Sequence, residues 1–174
     1  MDKTPSNTQM PRIAEHRLTY QVGAVEDFGD HAVAMLQKAR HVWASAYAPY
    51  SGFHVAAVVL TRDGSMLAGT NQENASYPVG ICAERVVLSA LSCQEGGGEV
   101  AAMLVLAGRK LEPQGEWMSG SGKPVAPCGM CRQALMEQIK RQKSDFPLYL
   151  ASLQGEFWVI EAASDLLPLA FNEF

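Results

Sequence analysis

The spacing of apolar residues along the chain predicts three helices. Between residues 27 and 47 apolar side chains recur at intervals of three and four, which places them on one face of a helix. These side chains are Leu36, Ala39, Trp43 and Ala46. A second helix is predicted over about 81–93, before a run of three glycines, and a third over about 128–140.

Shorter apolar segments predict β-strands. These segments are separated by turn residues, such as the Asp63-Gly64 pair between the first two. The segments are 53–60, 65–70, 100–107, 148–152 and 157–160. Because strands and helices are interspersed along the chain, the sequence indicates a single α/β domain.

The start of the chain and one internal connection do not follow these patterns. No sustained apolar period precedes Val22, so residues 1–20 are predicted to form a flexible or loosely docked tail. Residues 21–174 are predicted to form the folded domain. The connection over 108–126 contains several glycines and prolines, and connections of this length are usually functional or disordered.

Composition and charge narrow the functional classes. The 174 residues are 48% apolar and 18% charged, which suits a chain with its own hydrophobic core. The formal net charge of −4, without a lysine- or arginine-rich run, argues against binding to nucleic acid or to an anionic membrane surface. No apolar run approaches the roughly 20 residues that span a bilayer, and the first residues lack the apolar core of a secretory signal. We therefore expect a cytoplasmic protein with no nucleic-acid or membrane partner.

The cysteines introduce candidate chemistry. Cys82 stands at the start of the second predicted helix, and Cys128 and Cys131 stand at the start of the third. The spacing of three puts the last two sulfurs on the same side of a helical turn. A helix N-terminus also stabilises thiolates, because its unpaired N–H groups form the positive end of the helix dipole. The two helix starts could therefore converge on one metal ion.

Three cysteine ligands would leave one tetrahedral position of zinc open, as in catalytic rather than structural zinc sites. Cys93 follows Cys82 by eleven residues, which is roughly 16 Å along an intact helix, so it cannot share the ion and is expected to be an inert thiol. Glu84 would lie beside the open position. Zinc activates water near neutral pH, and a neighbouring carboxylate can transfer protons. These residues suggest hydrolysis at an electrophilic carbon.

Two further interpretations of these residues concern a redox role for the cysteine pair and the charge of the three-cysteine cluster. The Cys-x-x-Cys pair at 128–131 alone is also compatible with a redox centre. Redox chemistry needs neither a third cysteine nor Glu84, so the combination favours zinc. Three thiolates on a divalent cation carry a net negative charge, and we hypothesise that Arg85 offsets it by donating hydrogen bonds to a cysteine sulfur.

In the order and chemistry of these motifs the chain resembles the cytidine deaminases. Zinc deaminases carry a metal ligand followed two residues later by glutamate, and then Pro-Cys-x-x-Cys. This chain has Cys-Ala-Glu at 82–84 and Pro-Cys-Gly-Met-Cys at 127–131. The resemblance extends over about 47–171, and its main segments are 49–53, 69–78, 80–85 and 126–133. It implies a three-layer α/β/α fold around a central mixed sheet of about five strands.

The resemblance also implies an activity and a cofactor. The activity is hydrolytic deamination of cytidine and 2′-deoxycytidine to uridine and 2′-deoxyuridine with release of ammonia, a step of pyrimidine salvage. One Zn²⁺ per subunit would be held by Cys82, Cys128 and Cys131, and Glu84 would protonate N3 and the departing amine. The alternative is a deaminase of the same fold that acts on another aminopyrimidine nucleoside, such as blasticidin S.

Substrate contacts follow from the same resemblance. Asn71 and Glu73 would bind the ribose hydroxyls, Phe53 would pack against the pyrimidine, and Ala83 would meet the base through its backbone. Asn71 and Glu73 lie two apart where a strand opens into a loop, so their side chains can point the same way. Without the motif, Asn71 and Glu73 are also ordinary loop residues, and Phe53 is an ordinary core residue.

The short chain and a cysteine as first ligand resemble the homotetrameric members of the family. In such tetramers neighbouring subunits complete each site, and Tyr77 and Phe171 match the positions donated across the interface. The segment 108–123 is longer than the usual family connection, and Trp117 within it could cover the site or a subunit interface. This connection could change the substrate.

Overall fold

Helices and a mixed β-sheet form the part of the chain that the structure, a computed structural model, describes: residues 12–110, 117–118 and 122–172. The α-helices of these residues are α1 (Asp30–Trp43), α2 (Ala83–Ser92) and α3 (Gly129–Gln142). Each corresponds to one of the helices expected from apolar spacing.

The described strands form one sheet. Their bounds are β1 (Gln21–Gly23), β2 (Phe53–Thr61), β3 (Met66–Thr70), β4 (Val100–Lys110), β5 (Trp117–Met118), β6 (Leu148–Ser152) and β7 (Phe157–Ile160). Six strands lie in the order β1-β7-β6-β4-β2-β3, and β5 pairs with β4 off this path. The β4–β6 pair is parallel and the other pairs are antiparallel. The sheet is therefore mixed, as expected, with β1 and β5 added to the five expected strands.

The two faces of the sheet carry separate apolar layers. Along β2 the side chains alternate, so that Ala56 and Val58 belong to the layer packed on α1, whereas Ala57 and Val59 belong to the layer packed on α2 and α3. Helices thus cover both faces, which confirms the three-layer α/β/α fold.

The start of α2 lies very close to strand β3. A Cβ atom added to Gly69 would lie 2.9 Å from the backbone nitrogen of Val87 and 3.1 Å from the carbonyl oxygen of Ala83. No larger residue fits this approach without displacing one of the two backbones. The missing side chain therefore lets the N-terminus of α2 sit directly on the sheet.

The two segments set apart by the sequence are described only in part. In the first, the Tyr20 ring lies 4.9 Å from that of Trp158, and His16 Nε2 lies 3.2 Å from the carbonyl oxygen of Asp165. The division of the chain near residue 20 stays a prediction. Most of the 108–123 connection, including the side chain of Trp117, lies outside the described residues.

Nowhere in the described ranges is there a helix with both the length and the apolar composition needed to cross a membrane.

Candidate active site

The three cysteines expected to bind zinc lie together at the starts of two helices. Cys82 is the N-cap of α2, Cys128 is the N-cap of α3, and Cys131 lies in the first turn of α3. The Sγ atom of Cys128 lies 3.9 Å from that of Cys82 and 3.5 Å from that of Cys131. All three sulfurs lie within 4.8 Å of one another. The two helix N-termini therefore converge, as the spacing predicted.

The sulfur positions suit a zinc ion. Zn–S bonds of about 2.3 Å in a tetrahedron place two sulfur ligands about 3.8 Å apart, close to the distances in this cluster. Cys93 is exposed at the far end of α2 and is not part of the cluster. A set of three thiol ligands is one fewer than a closed structural site uses, so the donor set fits one catalytic zinc per chain.

The surroundings of the cluster favour one thiolate, at Cys82. Hydrogen bonding from Cys131, aided by Cys128 and by the Arg85 guanidinium, lowers the pKa of Cys82 to about 5. The Cys82 thiolate in turn raises the pKa of Cys131, and burial adds to that rise. Without a cation one thiolate therefore suppresses ionisation of its neighbour. A divalent cation at this position would remove the conflict, since it stabilises every thiolate that it binds.

Glu84 lies in the first turn of α2, beside the cysteines, and the residue is only 4% exposed. Burial raises the pKa of this carboxyl above its usual range, and the Cys82 charge acts in the same direction. A carboxyl with a raised pKa can take up and return a proton near neutral pH. Glu84 therefore has the properties of a proton-transfer group.

Arg85 follows Glu84 in the first turn of α2 and is half-buried. Its Nη2 donates a hydrogen bond to the carbonyl oxygen of Gly80 at 3.5 Å. Its Nε is buried and has no hydrogen-bond partner among the described residues. The guanidinium contributes to the lowered pKa of Cys82, which agrees with the charge-balancing role expected for it; that role stays a prediction.

Two adjoining cavities open from the cysteine cluster, and Asn71 and Cys82 line both. The inner cavity has a volume of about 220 Å³ and contains Glu84 in its wall. Its other lining residues are Phe53, Val55, Val105, Ala107, Val125, Ala126 and Cys128. The outer cavity has a volume of about 490 Å³ and is lined also by Tyr50, Ser51, Gln72, Glu73, Asn74, Tyr77, Gly80 and Ile81. Together they form a cleft whose inner part is mainly apolar and whose outer part adds polar side chains, among them Gln72, Glu73 and Asn74.

The structure brings most of the expected substrate residues to this cleft. Phe53 lines the inner cavity and Glu73 the outer one. The Asn71 amide spans the start of β2, because Oδ1 accepts from the Val55 N–H at 2.8 Å and Nδ2 donates to the Phe53 carbonyl at 2.9 Å. Asn71 thereby holds the strand that carries Phe53. Ala83 is fully buried next to Glu84.

The two residues expected to act across an interface differ in position. Tyr77 lines the outer cavity of its own chain, is 78% exposed, and meets Tyr50 edge to face with ring centroids 6.1 Å apart. Phe171 does not line either cavity; its backbone is held by the Gln133 side chain, and it is 73% exposed. Its contribution to a neighbouring subunit stays a prediction.

Sequence reasoning missed the apolar walls of the inner cavity. Val55 and Ala107 face each other across the β2–β4 pairing, and Val105 follows on the same face of β4. The motif segments contain none of the β4 residues. Only the strand pairing brings them to the cysteine cluster.

Comparison with known proteins identifies the family. Residues 30–143 match the family model of the cytidine and deoxycytidylate deaminase zinc-binding region. The chain belongs to this deaminase family. Its zinc-binding region includes all three cysteines and Glu84, which agrees with the sulfur geometry.

Relatives support the deaminase assignment over most of the chain. A cytidine deaminase of Halalkalibacterium halodurans is 39% identical over 138 residues, which are 79% of this chain and 92% of the relative. One from Sporosarcina psychrophila is 35% identical over 141 residues, or 81% of this chain and 89% of the relative. The crystal structure of a cytidine deaminase from Burkholderia pseudomallei matches with a TM-score of 0.63 and 38% identity, and covers 80% of this chain and 98% of that one. These names do not favour the blasticidin S alternative.

Proposed function

We propose that this member of the deaminase family is a hydrolase that converts cytidine and 2′-deoxycytidine to uridine and 2′-deoxyuridine with release of ammonia. The observation that carries the proposal is the burial of Glu84 beside the three-cysteine cluster, in the wall of the inner cavity. An acid–base group, a metal-binding cluster and a cavity are the parts that hydrolytic deamination needs. The curated relatives that share these motifs are named cytidine deaminases.

The proposed chemistry divides between the metal and Glu84. Zinc bound to Cys82, Cys128 and Cys131 supplies Lewis-acid activation of water near neutral pH. Glu84 accepts a proton from the water whose oxygen attacks C4 of the base, and it delivers this proton to N3. It then takes the remaining proton from the new C4 hydroxyl and delivers it to the amine, which departs as the C4–N bond breaks and the C4 carbonyl forms. Cytidine and water are thereby consumed, and uridine and ammonia are formed. Because burial raises its pKa, Glu84 can hold the proton between these steps.

Substrate recognition follows the division of the cleft. The pyrimidine occupies the apolar inner cavity against Phe53, with the Ala83 backbone at its edge, and the ribose lies at Asn71 and Glu73 in the outer cavity. In the described residues the outer cavity is lined by the Glu73 carboxylate and by no lysine or arginine. A 5′-phosphate would therefore be repelled rather than bound, so we propose a nucleoside substrate rather than a nucleotide.

The direct test is the loss of cytidine ultraviolet absorbance on addition of the zinc-loaded protein. Cytidine and 2′-deoxycytidine should be deaminated, whereas cytidine 5′-monophosphate should be turned over at least tenfold less efficiently. Ammonia release measured in parallel should equal the uridine formed. A protein with one zinc per chain that deaminates neither nucleoside would contradict the proposal.

The proposal extends to assembly and cellular role. We propose a homotetramer in the cytoplasm, active in pyrimidine salvage, in which Tyr77 and Phe171 complete sites of neighbouring subunits. The exposure of both aromatic rings supports this, since exposed aromatic residues are enriched at interfaces. Light scattering during size-exclusion chromatography should give about four times the 18.8 kDa chain mass. A monomer that is fully active would contradict the shared sites.

A further inference from the structure

A tight turn before β2 brings Ser51 to the rim of the outer cavity. The Gly52 N–H donates to the carbonyl oxygen of Ala48 at 3.0 Å, and Gly52 has a φ of 64°. This left-handed backbone conformation favours glycine. The turn reverses the chain so that Ser51 faces Glu73, which lies 22 residues later in the sequence.

The Ser51 hydroxyl connects two parts of the cleft. Its Oγ lies 2.5 Å from Oε1 of Glu73 and 2.9 Å from the backbone nitrogen of Phe53. The directions of these hydrogen bonds are fixed, because an ionised carboxylate only accepts and a backbone N–H only donates. Ser51 therefore donates to Glu73 and accepts from Phe53, the residue proposed to contact the pyrimidine.

The same turn fills most of the hydrogen-bond acceptor positions of the Glu73 carboxylate. Oε2 accepts from the N–H groups of Tyr50 at 2.9 Å and of Ser51 at 3.2 Å. Each carboxylate oxygen has about two acceptor positions, so Oε2 is fully used. Oε1 has the Ser51 hydroxyl as its partner in the described residues and retains one acceptor position. Glu73 lines the outer cavity, where this position can accept from a ligand hydroxyl.

Hydrogen bonding also keeps Glu73 ionised. The Ser51 hydroxyl is the largest cause of the lowered pKa of this carboxyl, and the N–H groups of Tyr50 and Ser51 lower it further. A charged acceptor forms a stronger hydrogen bond than a neutral one. The turn thus determines both where Glu73 lies and how strongly it accepts.

We propose that Ser51 is a positioning residue for ribose recognition: its hydroxyl holds Glu73 with one acceptor position free for a ribose hydroxyl, and it fixes this position relative to Phe53. This proposal rests on the proposed function, since it assumes a nucleoside in the cleft. In this proposal Ser51 contacts neither the metal cluster nor the base. Its role is to set the distance between the ribose and pyrimidine subsites.

The test compares nucleosides with and without the hydroxyls that Glu73 would bind. Ser51→Ala should raise the KM for cytidine about tenfold, the scale of one hydrogen bond to a charged group, while kcat changes less than about threefold. The KM for 2′,3′-dideoxycytidine should change less than about twofold, because this substrate makes no such contact. Ser51→Thr keeps a hydroxyl and should restore most of the cytidine KM.

Two controls separate positioning from folding. Ser89→Ala removes an exposed hydroxyl from α2, away from the cleft, and should leave both KM values unchanged. In a Glu73→Gln background, Ser51→Ala should add little further loss for cytidine, since the two residues act as one unit. Turnover of dideoxycytidine by the Ser51→Ala protein also shows that it is folded.

The outcomes distinguish this proposal from the function on which it rests. Equal KM increases for both nucleosides, or no increase for cytidine, would overturn the positioning role while deamination itself stood. If the zinc-loaded wild-type protein deaminates neither cytidine nor 2′-deoxycytidine, the proposed function fails, and the role of Ser51 in ribose recognition fails with it.

Discussion

Replacing Glu84 by glutamine should abolish cytidine deamination and leave zinc in the protein. Glutamine has nearly the same size and can still form hydrogen bonds, but it cannot take up a proton at its carbonyl oxygen near neutral pH. Glu84 is proposed to transfer protons at both N3 and the amine, so kcat should fall on the order of 10⁴-fold, the upper end for one acid–base group. Absorbance assays of the Glu84→Gln and wild-type proteins, each with its zinc content measured, provide the comparison.

The zinc measurement distinguishes loss of the proton-transfer group from loss of the metal. The metal-binding cluster consists of three cysteine sulfurs and excludes Glu84, so the variant should retain one zinc per chain. Glu137→Gln is the matched control, because Glu137 is exposed on α3 and does not line either cavity. It should show wild-type turnover. A Glu84→Gln protein within tenfold of wild-type kcat would exclude Glu84 as the proton-transfer group.

Much of the fold could be predicted from local pattern because the local pattern has a physical cause. Apart from His54, the segment 53–60 is apolar, since both faces of β2 are covered by helices, and it becomes β2 with one added residue, Thr61. Of the helix stripe predicted between 27 and 47, Leu36, Ala39 and Trp43 lie on the face of α1 that packs on the sheet, whereas Ala46 lies beyond the end of this helix. Burial on a regular element leaves a period in the sequence, and the period predicts the element.

The additional strands left no such period. β1 has three residues and β5 has two, too few for an alternation to be recognised. β1 forms by pairing with β7, in a register that joins Val22 to Trp158. This pairing joins segments more than 130 residues apart, and no local feature of either segment specifies it.

The same distinction applies to the site. Residues whose chemistry the proposed reaction requires, such as Cys82 and Glu84, could be found from their types and spacing. Val105 and Ala107 line the inner cavity only because β4 pairs with β2 in one register. Ser51 meets Glu73 only because a turn folds back on a distant loop. Such contacts depend on tertiary structure and require the coordinates.

Replacing Cys128 by alanine should remove the zinc and lower the stability of the fold together. The Cys128 sulfur lies 3.5 Å from that of Cys131 and 3.9 Å from that of Cys82. Its loss leaves two protein ligands, and the free energy of metal binding that stabilises the folded state is lost with the ion. A loss of about 4 kcal/mol would lower the melting temperature by about 10 °C in a domain of this size.

Cys93→Ala is the control that makes this result specific to the cluster. Both Cys93 and Cys128 are exposed, free cysteines, but Cys93 lies at the opposite end of α2 from the cluster. Elemental analysis should find one zinc per chain in Cys93→Ala and almost none in Cys128→Ala, and calorimetry should show a large decrease in melting temperature only for the latter. Full zinc occupancy in Cys128→Ala would refute the ligand assignment. Zinc loss in Cys93→Ala would mean that the ion binds elsewhere, because no movement short of unfolding α2 could bring that sulfur to the other three.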